Sequence, residues 1–553
     1  MRMKRFPFFD HSLLIAGNNP QAGFAHWSTA RTNPARMSRD LARVNERFLL
    51  RRGEVEGGRL IMPNGLPRRT RPEEAMLWFN GIDGRRGGYL LPPVPRRQLA
   101  DLACGATVDR TRVRELQAWV ARGEGKARRG LKEGLDPSNL DEAGWGVIFS
   151  STAEVEPLRE ALAPLLDLRR AQAGKRRERF FREFTGADGY REGESKVAFL
   201  ARHGAGPGPA DPEKVPYYLL LVGDPEAIPF SFQYQLDVQY AVGRLCFDTL
   251  EDYRRYAESV AAAESGGTGR RRRACFFAPT NQGDPVTGST NAHLVQPVAA
   301  GVRSGQPGWS VETVLGEEAT RGRLGGVLDE APAFLFAACH GLGFAADDPL
   351  QRERQGALVC QDWPGPEPGG IDREHYFAAE DVGAEARVHG LIAFCYACFG
   401  AGTPRWDDFL RKSQGPPRAL SSGAFLGRLP QRLLSHPRGG ALAVVGHVER
   451  AWGFSLVWPD AGPQITAFES TVRRLLDGKP VGWAMEIFNQ RYAELASDLA
   501  AEVESLGFGK KLDETVLADL WTASHDARNY AIIGDPAVRI AAPPTTQEVC
   551  SEN

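Results

Sequence analysis

A chain of 553 residues is too long for one hydrophobic core and should divide into about two to four domains. Apolar residues make up 42% and charged residues 25%, a balance that excludes a disordered or fibrous chain. With a net charge of −1 nothing selects a nucleic acid or an anionic membrane as partner, and no apolar run reaches the length of a membrane span.

The N-terminus opens basic, with Arg2, Lys4 and Arg5, but lacks an apolar stretch of signal-peptide length, so a cytoplasmic location is expected. Residues 1–140 are the least readable part. They carry Gly/Arg-rich turns around Gly53 and Gly87 and one helix-compatible stretch over 111–121, spaced by Val113, Leu116, Trp119 and Val120. Their role is open between a pro-segment, a binding module and an extension of the core. From Gly144 onward β and α patterns alternate. A strand is predicted over 145–149, a helix over 154–168, a basic helical segment over 169–184, a strand over 217–222 and a helix over 251–263. The strand lacks apolar/polar alternation, as a parallel strand buried on both faces does.

A Gly-rich, then Arg-rich stretch over 264–273 reads as a boundary, and its arginines Arg270 to Arg273 as a charged linker or a self-processing site. Beyond it strands are predicted over 274–278, 309–315, 333–338, 391–395 and 441–446, with a last one from Tyr530. Helices fall over 291–302, 320–328, 465–476 and 481–506. The expected fold class is α/β: mostly parallel sheets with helices on both faces, in two tandem α/β subdomains. The expected organisation is an N-terminal region (1–140), a first subdomain without catalytic residues (141–265), a catalytic domain (271–541) and a polar tail (542–553).

Two apolar runs of the second unit end in reactive residues. Phe334 to Ala338 leads into Cys339, His340 and Gly341; Leu391 to Tyr396 leads into Ala397 and Cys398. On neighbouring parallel strands the imidazole and the thiol would share one sheet edge, at the strand C-termini where open α/β folds build sites. Cys398 is the candidate nucleophile and His340 its base or acid. The N–H groups of Gly341 and Cys398 are the candidate oxyanion hole. The remaining cysteines are scattered, and Cys395 with Cys398 makes the one C-x-x-C. With no second pair at zinc spacing, neither a metal nor a cofactor is expected. A thiol–disulfide oxidoreductase is disfavoured because Gly400, Gly402 and Pro404 follow where a helix should open. Tyr396 and Trp452 are candidate substrate-pocket walls, Tyr396 alternatively a core aromatic and Trp452 alternatively surface packing. Asp284 and Glu449 are candidate pocket acids for a basic substrate side chain, Glu449 alternatively a solvated charge.

Several blocks in order resemble the caspase-fold (clan CD) cysteine peptidases of the gingipain and CHAT branches, across residues 144–541. Leu219 to Asp224 with Ile228-Pro229, then Asp237, Tyr240 and Gly243-Arg244, resembles the entry block of gingipain-like chains. Ala338 to Gly341 is similar to the His-Gly block, and Tyr396-Ala397-Cys398 to the nucleophile block. Ala441 to Gly446 with Trp452 resembles the strand and aromatic after it, and Ile533 to Pro536 the closing Gly-Asp-Pro. The resemblance implies a cysteine endopeptidase with a Cys/His dyad, acting on protein substrates under an activating protein or ligand. Through its CHAT branch it implies a bacterial defence or cell-death pathway, antiviral defence among them. The alternative is a non-catalytic caspase-like scaffold whose N-terminal region binds a partner. An acid holding a basic substrate side chain, as in the arginine-specific gingipains, does not align cleanly, because Asp284 is the one acid in its loop.

Overall fold

The computed structural model describes residues 76–77, 81–90, 94–95, 130–267, 271–366, 370–409, 417–458, 461–507 and 513–540. All of them belong to one compact unit, Thr70–Asn553. The helix expected over 111–121 and the tail 542–553 lie outside the described residues.

Ten strands form one sheet: β1 (Trp145–Phe149), β2 (Phe181–Phe184), β3 (Tyr218–Val222), β4 (Ala241–Leu245), β5 (Arg273–Ala278), β6 (Ser310–Leu315), β7 (Phe334–Ala338), β8 (Ile392–Tyr396), β9 (Ala443–His447) and β10 (Tyr530–Gly534). Their spatial order is β2-β1-β3-β4-β10-β9-β8-β7-β5-β6. Neighbours are parallel except β9 and β10, which run antiparallel. The molecule is thus a mixed α/β protein built on a large, mostly parallel sheet flanked by helices. β1, β3, β4, β7, β8, β9 and β10 are buried at every position, which is why their sequences run mostly apolar without alternation, Arg244 in β4 and His447 at the end of β9 being the polar exceptions besides tyrosines. The main helices are α1 (Ala163–Ala173), α2 (Leu250–Ala262), α3 (Pro285–Thr290), α4 (Thr466–Leu476), α5 (Val481–Gly507) and α6 (Glu514–Arg528).

The chain winds the same way twice. From β1 it steps outward to the edge strand β2, then returns past β1 to β3 and β4. From β5 it steps outward to β6, then returns past β5 to β7, β8 and β9. Each reversal makes a switch point, where loops diverge and leave a crevice at the strand C-termini. In the second half that crevice lies between β5 and β7.

Three expectations change. The helix expected over 154–168 is two, Val155–Ala161 and α1, meeting at Leu162. The basic segment 169–184 is α-helical only to Ala173, makes a single 3-10 turn over Glu178–Phe180 and ends as β2, whose Arg182 and Glu183 suit an exposed sheet edge. Residues 81–90, read as a Gly/Arg-rich turn, form a hairpin. Its strand Gly81–Asp83 pairs in parallel with Gly341–Gly343, within a small four-stranded sheet beside the main one.

Candidate active site

His340 follows β7 and Cys398 follows β8. The two strands pair directly, with Ala338 opposite Tyr396, so both residues leave the same edge at equal depth. The backbone of Gly341, just after His340, packs against that of Cys398. A Cβ built on Gly341 would lie 1.8 Å from the Cys398 carbonyl oxygen, so only glycine fits after the histidine. Phe399, next to Cys398, has φ +60°, a left-handed turn that costs a side-chain-bearing residue about 1–2 kcal/mol. Such strain persists where the surroundings over-determine it, and it sits beside the candidate nucleophile.

The Cys398 thiol is fully buried. It accepts the Ala451 N–H at 3.2 Å, and burial pushes its pKa up, so the resting group is the neutral thiol. Cys395 is also buried, inside β8, and burial alone pushes it up to about 12.

His340 is fully buried as well. Its Nε2 lies 2.8 Å from Oδ2 of Asp284, while Nδ1 has no hydrogen-bond partner among the described residues. A carboxylate on Nε2 selects the tautomer with its proton there and leaves the Nδ1 lone pair for a proton to arrive. Asp284 stands in the loop after β5, on the other side of the switch point, and caps the N-terminus of α3. Its carboxylate accepts the Val286 and Thr287 N–H groups and the Thr287 hydroxyl. Burial works to raise its pKa, but the attraction of His340 and hydrogen bonds from His340, Tyr89 and Thr287 hold it well below the usual carboxylate range. The Tyr89 hydroxyl reaches its other oxygen at 2.6 Å.

The pocket expectations need correcting. Asp284 is not a free acid for substrate, because five donors already occupy its carboxylate. Glu449 is buried and bonded to Arg450, which in turn bonds Asp407. Tyr396 is fully buried against Phe468, and its hydroxyl donates to the Trp452 carbonyl at 2.8 Å. Trp452 is buried on Phe409, with ring centroids 4.6 Å apart. These residues form a wall behind the cysteine rather than an open pocket. That wall is anchored by Asp526 of α6, which accepts the Trp452 N–H at 2.8 Å and the Ser455 hydroxyl. Sequence reasoning missed the Asp284–His340 pair, Tyr89 and Asp526. The available signal for the pair was positional: Asp284 is the lone acid of the loop bordering the switch point. Among the described residues no cluster suits a metal ion and no helix is long and apolar enough to cross a membrane.

No family model and no curated protein matches the sequence. Among solved structures, the chain is similar to the Arg-specific cysteine proteinase gingipain R, at 13% identity over 76% of this chain and 82% of that one, with TM-score 0.45. A solved protease aligns at 13% identity over 73% and 80%, TM-score 0.41. The complex of the Porphyromonas gingivalis RgpB pro- and mature domains aligns at 12% over 73% and 81%, TM-score 0.39.

Proposed function

We propose that the protein is a cysteine endopeptidase working through a Cys398–His340–Asp284 constellation. The observation that carries this reading is His340: one nitrogen paired with a buried carboxylate, the other unpartnered, on the strand beside the cysteine. In the reaction the Cys398 proton passes to His340 Nδ1 as sulfur attacks the scissile carbonyl carbon. The Cys398 and Gly341 N–H groups receive the oxyanion. Collapse breaks the C–N bond, and His340 returns the proton to the leaving amine. Water, deprotonated by His340, then releases the acyl group as a carboxylic acid and restores the thiol. Asp284 holds the imidazole's orientation and balances its charge while it carries both protons.

The closed site, with a buried neutral thiol, supports regulated activity in which an activating protein or ligand opens access. The resemblance to CHAT chains extends this to an intracellular bacterial defence or cell-death role. Incubation with a peptide library tests the chemistry. Wild type should cleave, Cys398→Ala should not, and His340→Ala should lose about 10²–10⁴-fold. Cleavage that survives Cys398→Ala would sink the proposal. Absence of cleavage under every activating condition would leave the scaffold reading in its place.

A further inference from the structure

Residues 81–90 reach the site from the N-terminal region. Strand Gly81–Asp83 lies in register with Gly341–Gly343, Gly81 opposite Gly341 and Ile82 opposite Leu342, immediately after His340. Ile82 is fully buried in a small apolar cluster with Leu342, Phe344, Val359 and Trp363. The chain turns at Gly87 and returns, bringing Tyr89 antiparallel to Ile82. Tyr89 therefore stands over His340, edge to face, with ring centroids 5.9 Å apart at 75°. Trp363 meets the imidazole edge to face as well, at 5.9 Å.

The hairpin is interlocked with the domain. A side chain on Gly343 would collide with Leu90, one on Gly84 with the Phe344 ring, and one on Gly87 with the Gly370 backbone. Arg85 grips Asp348 through two hydrogen bonds of 2.6 and 2.8 Å. So many close approaches suit a permanent part rather than a peelable strap. What the hairpin delivers is one hydroxyl. On Asp284, Oδ2 serves His340 and Thr287, whereas Oδ1 has the Tyr89 hydroxyl at 2.6 Å and otherwise only the Val286 N–H at 3.2 Å. Rotation of the carboxylate would take Oδ2 away from Nε2, and the Tyr89 bond opposes it. Burial, and then the Asp284 charge, push the Tyr89 phenol far up, so it stays a donor.

We propose that Tyr89 is a positioning residue of the active site: its hydroxyl fixes Asp284 and, through Asp284, the imidazole of His340. The proposal rests on the peptidase reading for its reaction, but its geometry is testable apart from cleavage. The experiment compares full-length wild type, Tyr89→Phe, Asp284→Asn and the double variant. The first readout is kcat and KM for peptide cleavage. The second is the rate at which iodoacetamide alkylates Cys398 in the native protein, followed by mass spectrometry. Tyr89→Phe keeps the ring against His340 and should lower kcat about tenfold, with KM within about twofold, the scale of one hydrogen bond to a charged group. Alkylation should slow likewise. In the Asp284→Asn background the same change should add less than about twofold to either loss, because the hydroxyl acts through the carboxylate. A tenfold loss that persists in that background would show a merely structural role and overturn the proposal. A rise in activity would overturn it too, making the hairpin an inhibitory cap. If wild type cleaves nothing while the alkylation pattern holds, the peptidase reading fails and the positioning role stands. Equal alkylation in all four proteins overturns the positioning role whatever the cleavage result.

Discussion

Cys395 and Cys398 differ by less than one turn of chain, yet their surroundings separate their chemistry. Cys395 lies buried within β8, with its thiol pushed up to about 12 by burial alone. Cys398 lies past the strand, on a strained turn, with the Ala451 N–H on its sulfur and His340 on the next strand. A thiol needs a nearby base and a route for its proton to become a nucleophile. Cys395→Ala should therefore keep most peptide cleavage, within about threefold, at a modest cost in stability for the lost packing. Iodoacetamide inactivation that labels Cys395 and leaves Cys398 free would reverse the assignment. At this scale the sequence was half legible. The candidate pair, His340 and Cys398, stands out in the sequence because each ends an apolar run. The groups packed against His340 do not, because Asp284 and Tyr89 arrive from a loop and a hairpin that long-range packing alone brings together.

At the level of elements, buried segments that are apolar throughout announce themselves and those carrying buried polar residues do not. β4 was missed because Arg244 interrupts it. That arginine is fully buried, donates to Gln233 and to the carbonyls of Gly223 and Pro229, and stacks on Phe230. Burial lowers its pKa to about 10. α6 was missed because Asp519, Ser524, His525 and Asp526 occupy buried positions where a helix pattern leads one to expect apolar residues. The turn after α2, Ala263–Gly267, was read as a flexible boundary, yet Glu264 in it bonds buried Arg169 of α1 at 2.6 and 2.7 Å. Burial alone would raise the Glu264 pKa, but Arg169 and Gln172 outweigh it and lower it from its ordinary value. The folded state then binds fewer protons than the unfolded one. The stabilisation is complete above the unfolded pKa and fades as pH falls through the folded one. Glu264→Gln should cost about 1.5–3 kcal/mol at pH 7. The gap to wild type should narrow as pH falls from 7 through the ordinary carboxylate range and below it, as wild type loses the charge too. Urea unfolding at both ends of that fall measures it. A gap that widens on acidification would show that Glu264 is protonated in the native protein.

Across the whole molecule, the last strand decides what can be cut away. β10 lies between β4 of the first winding and β9 of the second, so one sheet runs through both. Just beyond it the Gly534-Asp535-Pro536 corner locks the halves together. Asp535 is fully buried and accepts Trp145 Nε1 at 2.9 Å and Arg169 Nε at 2.6 Å, while its own N–H donates to Tyr256. Gly534 adopts φ +127° against the Leu442 carbonyl, a conformation and a contact that a side chain would block. A fragment of residues 271–541 would expose the edge of β10 that pairs with β4 at Ile532 and Ile533, an invitation to aggregate. It would also leave the Asp535 carboxylate without Trp145 and Arg169, and stripping one partner from a buried ion pair costs about 3–5 kcal/mol. That fragment is expected to be insoluble and inactive. A fragment of residues 144–541 keeps the whole sheet and nearly all of the main apolar core, giving up Leu140 and Ala143 from that core and residues 81–90 from the small separate cluster around Leu342 and Trp363. It is expected to stay soluble and to cleave more slowly than the full chain, since Asp284 lacks Tyr89. Expression of both fragments, with solubility and peptide cleavage as readouts, separates the cases. A soluble, active 271–541 fragment would show that the second winding stands alone and that β10 needs no partner from the first.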